Sequence, residues 1–105
     1  MRGNEPAFTI GVEEEYLLVD KETRALVVDP PPTLMAEAEA MCGSQVTTEL
    51  LRSQIEVGTK VCKNVQEVRA DLSLLRSNII QVAGRHGLAP IAASTHPFSS
   101  WTEQK

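Results

Sequence analysis

Residues 7–19, AFTIGVEEEYLLV, are the stretch on which the fold turns. Side chains alternate between the two faces of a strand, so Phe8, Ile10, Val12, Tyr16 and Leu18 fall on one face and Thr9, Gly11, Glu13 and Glu15 on the other. The alternation predicts a half-buried strand with an apolar and a polar side. One residue breaks the pattern: Glu14 intrudes on the apolar face.

Working outward, the polar run Asp20–Arg24 followed by Ala25–Val28 predicts a hairpin loop returning into a short antiparallel strand. Asp29-Pro30-Pro31-Pro32 reads as a rigid connector, and Thr33–Cys42, rich in helix formers and halted by Gly43, predicts a short helix. Between Gln45 and Val61 the β-branched residues predict a strand from about Ser53 to Val61 with a less regular lead-in. Asn64, with Glu67 three residues on, resembles a capping box. Val65, Val68, Leu72, Leu75, Ile79 and Val82 then recur at helical spacing up to Gly87. Leu88–Ser94 predicts a last buried strand ending at Thr95-His96-Pro97, and residues 98–105 read as a loop cut before a further segment. The order implies an α+β fold: a mainly antiparallel sheet with helices on one face. Residues 1–105 are expected to be the N-terminal fragment of a single larger catalytic domain.

Composition narrows the function. Ten Lys and Arg against fourteen Asp and Glu give a net charge of −4 and leave no cationic footprint for nucleic acid or anionic lipid. No apolar run approaches the roughly 18 residues of a membrane span, and residues 1–11 lack a secretory signal pattern, so a cytoplasmic protein is expected. Two distant cysteines, Cys42 and Cys62, read as reduced thiols rather than a bridge or a zinc site.

The Glu13-Glu14-Glu15 triplet carries the chemistry. On a strand Glu13 and Glu15 share a face about 6.5–7 Å apart, a spacing that favours a cation or strong donors between them. All-carboxylate ligation suits a hard ion, Mg²⁺ or Mn²⁺, which commonly also holds substrate phosphates. A solvated edge strand made acidic against aggregation fits the triplet equally well. Thr95 and His96 sit at the carboxyl end of the last expected strand, where substrate contacts are common. His86 at a helix terminus reads as a partner of the helix dipole.

Four blocks in order carry a resemblance to a known family: FTIGVEEEYLLVD, ELLRSQIEVGTKVC, NVQEVRADLSLLR and AASTHPFSSW. Together they make residues 7–105 similar to the YbdK-type carboxylate–amine ligases, the glutamate–cysteine ligase type 2 family. The resemblance implies part of a glutamine synthetase-like catalytic fold and an ATP- and Mg²⁺-dependent reaction. In that reaction a carboxylate is phosphorylated and an amine attacks the acyl phosphate. It places the Gly-x-Glu-x-Glu core on Gly11, Glu13 and Glu15 as catalytic and metal ligands, and adds Glu49 and Glu56 as further acids. Seven residues apart, Glu49 and Glu56 lie on opposite faces of any regular strand and converge only if the chain bends between them. Amino acids and ATP are the implied small-molecule partners, with a homo-oligomer expected from family habit and from an exposed sheet edge. The geometry expected of the metal site has Glu13 and Glu15 on one face, Glu56 beside them on a neighbouring antiparallel strand, and Glu14 turned away. The competing expectation is a noncatalytic self-association or interaction module whose acids serve solubility.

Overall fold

The computed structural model describes residues 7–48 and 54–102. Strand β1 (Ala7–Asp20) is followed by helix α1 (Pro32–Cys42), a 3₁₀ turn (Gly43–Gln45), β2 (Val46–Thr48), β3 (Gln54–Gly58), helix α2 (Val65–Arg85) and β4 (Leu88–Thr102). The four strands form one antiparallel sheet in the order β2-β3-β1-β4. The fold is therefore α+β. Because β3 and β4 both run antiparallel to β1, they are parallel to each other, and α2 connects them as a crossover with β1 inserted between its two strands.

Val12, Glu14, Tyr16 and Leu18 of β1 face the helices, as the alternation predicts. Tyr16 and Leu18 pack with Ile55 and Val57 of β3 against Leu34 and Ala38 of α1 and Leu72, Leu75, Ile79 and Val82 of α2. The opposite face carries Glu13 and Glu15. Helix α2 begins where expected: the Asn64 side chain accepts the Glu67 amide at 2.8 Å. Glu67 reaches back one residue further than a reciprocal box, to the Lys63 amide at 2.9 Å. Helix α1 starts at a proline, whose missing N–H is no loss in a first turn, and stops at Gly43, whose φ of 62° an L side chain resists.

Two expectations need correction. The return strand over Ala25–Val28 is reduced to one bridge, Leu26 to Val19, with the Val27 amide donating to the Leu18 carbonyl. Val28 is already 72% exposed, and the proline run that follows draws the chain off the sheet. The final strand, by contrast, does not stop at His96: β4 continues through Pro97 to Thr102, because the fourteen residues of β1 offer it backbone partners down to Ala7.

The prolines of β4 fit this length. Backbone groups of Ile10, Val12 and Leu18 bond away from β4, to Cys62, Thr59 and Val27. Their β4 neighbours therefore point their own amide positions outward, and two of these neighbours are Pro97, opposite Val12, and Pro90, opposite Leu18. Both missing N–H groups fall on the outer edge, where prolines are tolerated and where they blunt strand addition. Cys42 and Cys62 are free and buried. Among the described residues no helix is long and apolar enough to cross a membrane.

Leu18 has no exposed surface. Leu18→Ala is expected to cost about 3 kcal/mol of stability, measured as a lowered urea midpoint with an unchanged slope.

Candidate functional site: an acidic sheet face

Antiparallel register sets the site. Glu15 pairs with Glu56 of β3, Glu13 with Gly58 of β3 on one side and His96 of β4 on the other, and Thr47 of β2 with Glu56. Directly opposed residues share a face, so Glu13, Glu15, Glu56, Thr47 and His96 all stand on the side away from the helices. Even residues of β1 make the hydrogen bonds towards β3, so Glu15 and Glu56 form a narrow, non-hydrogen-bonded pair with Cα atoms about 4.5 Å apart. Like charges so placed repel one another. Glu13 extends over Gly58, with its Cγ 3.8 Å from where a Cβ would stand.

Beside this row lies an open groove of about 420 Å³, lined by Glu13, Thr47, Glu56 and Gly58 and closed at one end by Gln45 and the Thr59–Val61 loop. Asp71 of α2 shapes that end: its Oδ2 accepts the Lys60 amide at 2.7 Å and the Gln45 side chain at 3.0 Å. Gln45 in turn donates to the Gly58 carbonyl at 3.1 Å. Thr59 is buried, and its hydroxyl accepts the Val12 amide at 2.9 Å. None of Gln45, Lys60 and Asp71 is marked by spacing in the sequence, because each acts across elements distant along the chain.

Glu14 faces the other way and is the least expected part of the structure. It is 1% exposed. Arg76 of α2 grips it at both oxygens, Nε to Oε1 at 2.7 Å and Nη2 to Oε2 at 2.6 Å. The Tyr16 hydroxyl donates to Oε1, and the Thr95 hydroxyl donates to Oε2 at 3.0 Å. Four donors on two oxygens leave this carboxylate no open position for a metal ion. Arg76, supported by the Tyr16 and Thr95 hydroxyls, outweighs burial and lowers the Glu14 pKa to about 2. Burial and the Glu14 charge push the Tyr16 hydroxyl up.

The residues singled out in the sequence therefore divide. Glu13, Glu15, Glu56 and His96 share the open face, with Glu13 and Glu56 lining the groove. Thr95 turns its hydroxyl to Glu14 beneath the sheet. Glu49 lies outside the described residues. Among the described residues, no three His, Cys, Asp or Glu side chains converge closely enough to hold a metal ion by themselves.

Comparison with known proteins places this acidic face in a family. The model of the Glutamate-cysteine ligase family 2 (GCS2) matches residues 9–105. The chain belongs to glutamate–cysteine ligase family 2. It is 54% identical over 105 residues to "Putative glutamate--cysteine ligase 2" of Rhodospirillum rubrum, an alignment covering 96% of this chain and 27% of that protein. A protein of the same name from Jannaschia sp. is 53% identical over 97 residues, covering 92% of this chain and 25% of its own length. One from Paracoccus denitrificans is 47% identical over 100 residues, covering 95% of this chain and 26% of its own length. This GCS2 chain thus spans about a quarter of the length of the curated relatives it matches.

The Glu14 clamp has a pH signature. A carboxylate whose pKa falls from 4.5 to about 2 on folding stabilises the native state fully above pH 4.5 and loses that contribution as pH drops towards 2. Glu14→Gln is expected to be less stable than the parent by on the order of 2 kcal/mol at pH 7, with the gap closing between pH 4.5 and 2. Urea titrations of both proteins across that range check it.

Proposed function

We propose that this chain contributes the acidic sheet of an ATP- and Mg²⁺-dependent carboxylate–amine ligase of the glutamate–cysteine ligase kind, with a glutamine synthetase-like catalytic fold. The observation that carries the reading is the placement of Glu13, Glu15 and Glu56 on one open sheet face beside a groove, in a chain of this family. Carboxylates are hard oxygen donors of the kind Mg²⁺ or Mn²⁺ accepts, and Mg²⁺ needs only one or two of them where waters and substrate phosphates supply the rest. Glu13 and Glu15, with Glu56 across the strand pair, would hold it; Glu49 is a further candidate.

A bound metal would supply charge neutralisation at the phosphates of ATP. In the proposed reaction the γ-phosphoryl group passes to a substrate carboxylate with release of ADP, and the amine displaces inorganic phosphate from the acyl phosphate and loses a proton to form the amide. The chain's own residues do the positioning. Strand pairing on both sides of β1 fixes the backbone from which Glu13 and Glu15 extend and keeps both carboxylates on the same face. The groove between Glu13 and Glu56 falls within the size range of small-ligand sites. His96, paired with Glu13 on the β4 side, stands where it would contact an amino-acid substrate; Thr95, on the helix side, would act through Glu14. We assign the whole protein to the cytoplasm and to a homo-oligomer. The alternative of a self-pairing module draws less support, because Pro90 and Pro97 remove two outward amides from the β4 edge.

In the full-length protein, ADP release with ATP, glutamate and cysteine is expected to require Mg²⁺, and Glu13→Gln and Glu15→Gln are each expected to lower it about a hundredfold or more with the circular dichroism unchanged. Near-parental rates in both variants would overturn the assignment. The 105-residue chain alone is expected to show no turnover above its own Glu13→Gln control.

A further inference from the structure

The apolar alternation of β1, with Tyr16 and Leu18 buried on the helix side, settles which face each of the three glutamates takes and puts Glu14 among the core residues. Beside it the β1–β4 ladder carries a bulge between Glu15 and Tyr16, where β4 steps from Ser94 to Ala92 and gains one residue. What ties the strand down at this irregular point is the reception of Glu14 on the helix side. Arg76 offers Glu14 a two-pronged grip at 2.6 and 2.7 Å, and Thr95, the residue paired with Glu14 next to the bulge, adds its hydroxyl at 3.0 Å. One carboxylate is thereby tied to α2 and β4 at once, which pins β1 against both beside the bulge.

We infer that Arg76 is a positioning residue: by tying Glu14 to α2 it fixes the place of the β1 backbone from which Glu13 and Glu15 extend, and so sets the affinity of the open face for a divalent cation. The inference rests on the ligase reading, and its test separates the two. A cation bridging carboxylates on neighbouring positions of a face tolerates little displacement, since ligand geometry is fixed by the groups behind the ligands. Arg76 binds Glu14 on the helix side of the sheet, opposite the face of Glu13 and Glu15, so its influence travels through the Glu14 clamp and the strand.

The test uses the full-length protein and Mn²⁺ as the probe, with free Mn²⁺ read by electron paramagnetic resonance in the presence of a non-hydrolysable ATP analogue. Five proteins are compared: parent, Glu13→Gln, Arg76→Met, Arg76→Lys and Ile79→Ala, the last a buried α2 truncation serving as a stability control. Arg76→Met is expected to weaken Mn²⁺ binding about tenfold, and Arg76→Lys to an intermediate degree because an ammonium keeps the charge without the fork. Ile79→Ala, although it also loses stability, is expected to bind within about twofold of the parent, since the clamp is untouched. In turnover, Arg76→Met should raise the Mg²⁺ concentration for half-maximal rate more than it lowers the rate at saturating Mg²⁺. Should Arg76→Met fail to fold, Arg76→Lys and Thr95→Val carry the comparison, each expected to be about threefold weaker. Parental Mn²⁺ affinity in the folded Arg76 variants, or an equal loss in Ile79→Ala, would overturn the inference while leaving the ligase reading intact. Parental affinity in Glu13→Gln would overturn both.

Discussion

A single carboxylate between a sheet and a helix constrains the rest of this structure. Glu14 is placed where the alternation of β1 demands an apolar side chain, and taking its charge out of water would be costly without compensation. Compensation arrives from three elements: Arg76 from α2, Tyr16 from β1 itself and Thr95 from β4. Arg76 remains about half exposed, so the dehydration falls mainly on the carboxylate, whose oxygens are fully supplied with donors. The buried apolar face of β1 sets its register, and the charged, directional contact from Arg76 adds a second constraint on where α2 sits against it.

The other side of the same strand carries acids as well. Glu15 and Glu56 face each other across a narrow pair, and Glu13 lies over a glycine that leaves it room. On the helix side Glu14 is answered by Arg76, Tyr16 and Thr95. On the open side the carboxylates form a row beside a groove, and the loop that ends the groove is braced by Asp71 and Gln45. A sheet with a satisfied buried acid and a row of surface acids has its repulsion concentrated where a cation and a phosphate-bearing ligand would relieve it.

Much of this was legible in the chain because the two periodicities are strong. The alternation of residues 7–19 sorted odd from even glutamates, and the spacing from Val65 to Val82 marked the buried stripe of α2, where Val68, Leu72, Leu75, Ile79 and Val82 are all buried. The partner of Glu14 was not legible: Arg76 lies 62 residues away among ten scattered basic residues, and no local pattern joins them. Nor was the full length of β4. Its second half is polar and interrupted by proline, and only the register with β1 reveals that the missing amides point outward. The return strand after Asp20 has turn residues in the right order, but the Asx-type turn holding the Glu22 and Thr23 amides on Asp20 is local, and of the residues that follow Val27 packs on the core while Leu26 and Val28 stay exposed.

The central place of β1 bears on the order in which the molecule is made. Both strands that flank it come later in the chain, β3 some forty residues on and β4 with pairs as distant as Ala7 and Thr102. During synthesis β1 therefore leaves the ribosome before either flanking strand exists, with its apolar side uncovered. Three adjacent negative charges in the middle of that strand repel an identical strand on a neighbouring nascent chain. The acids proposed to gather a cation in the finished protein would also keep its first strand single until the strands that flank it emerge.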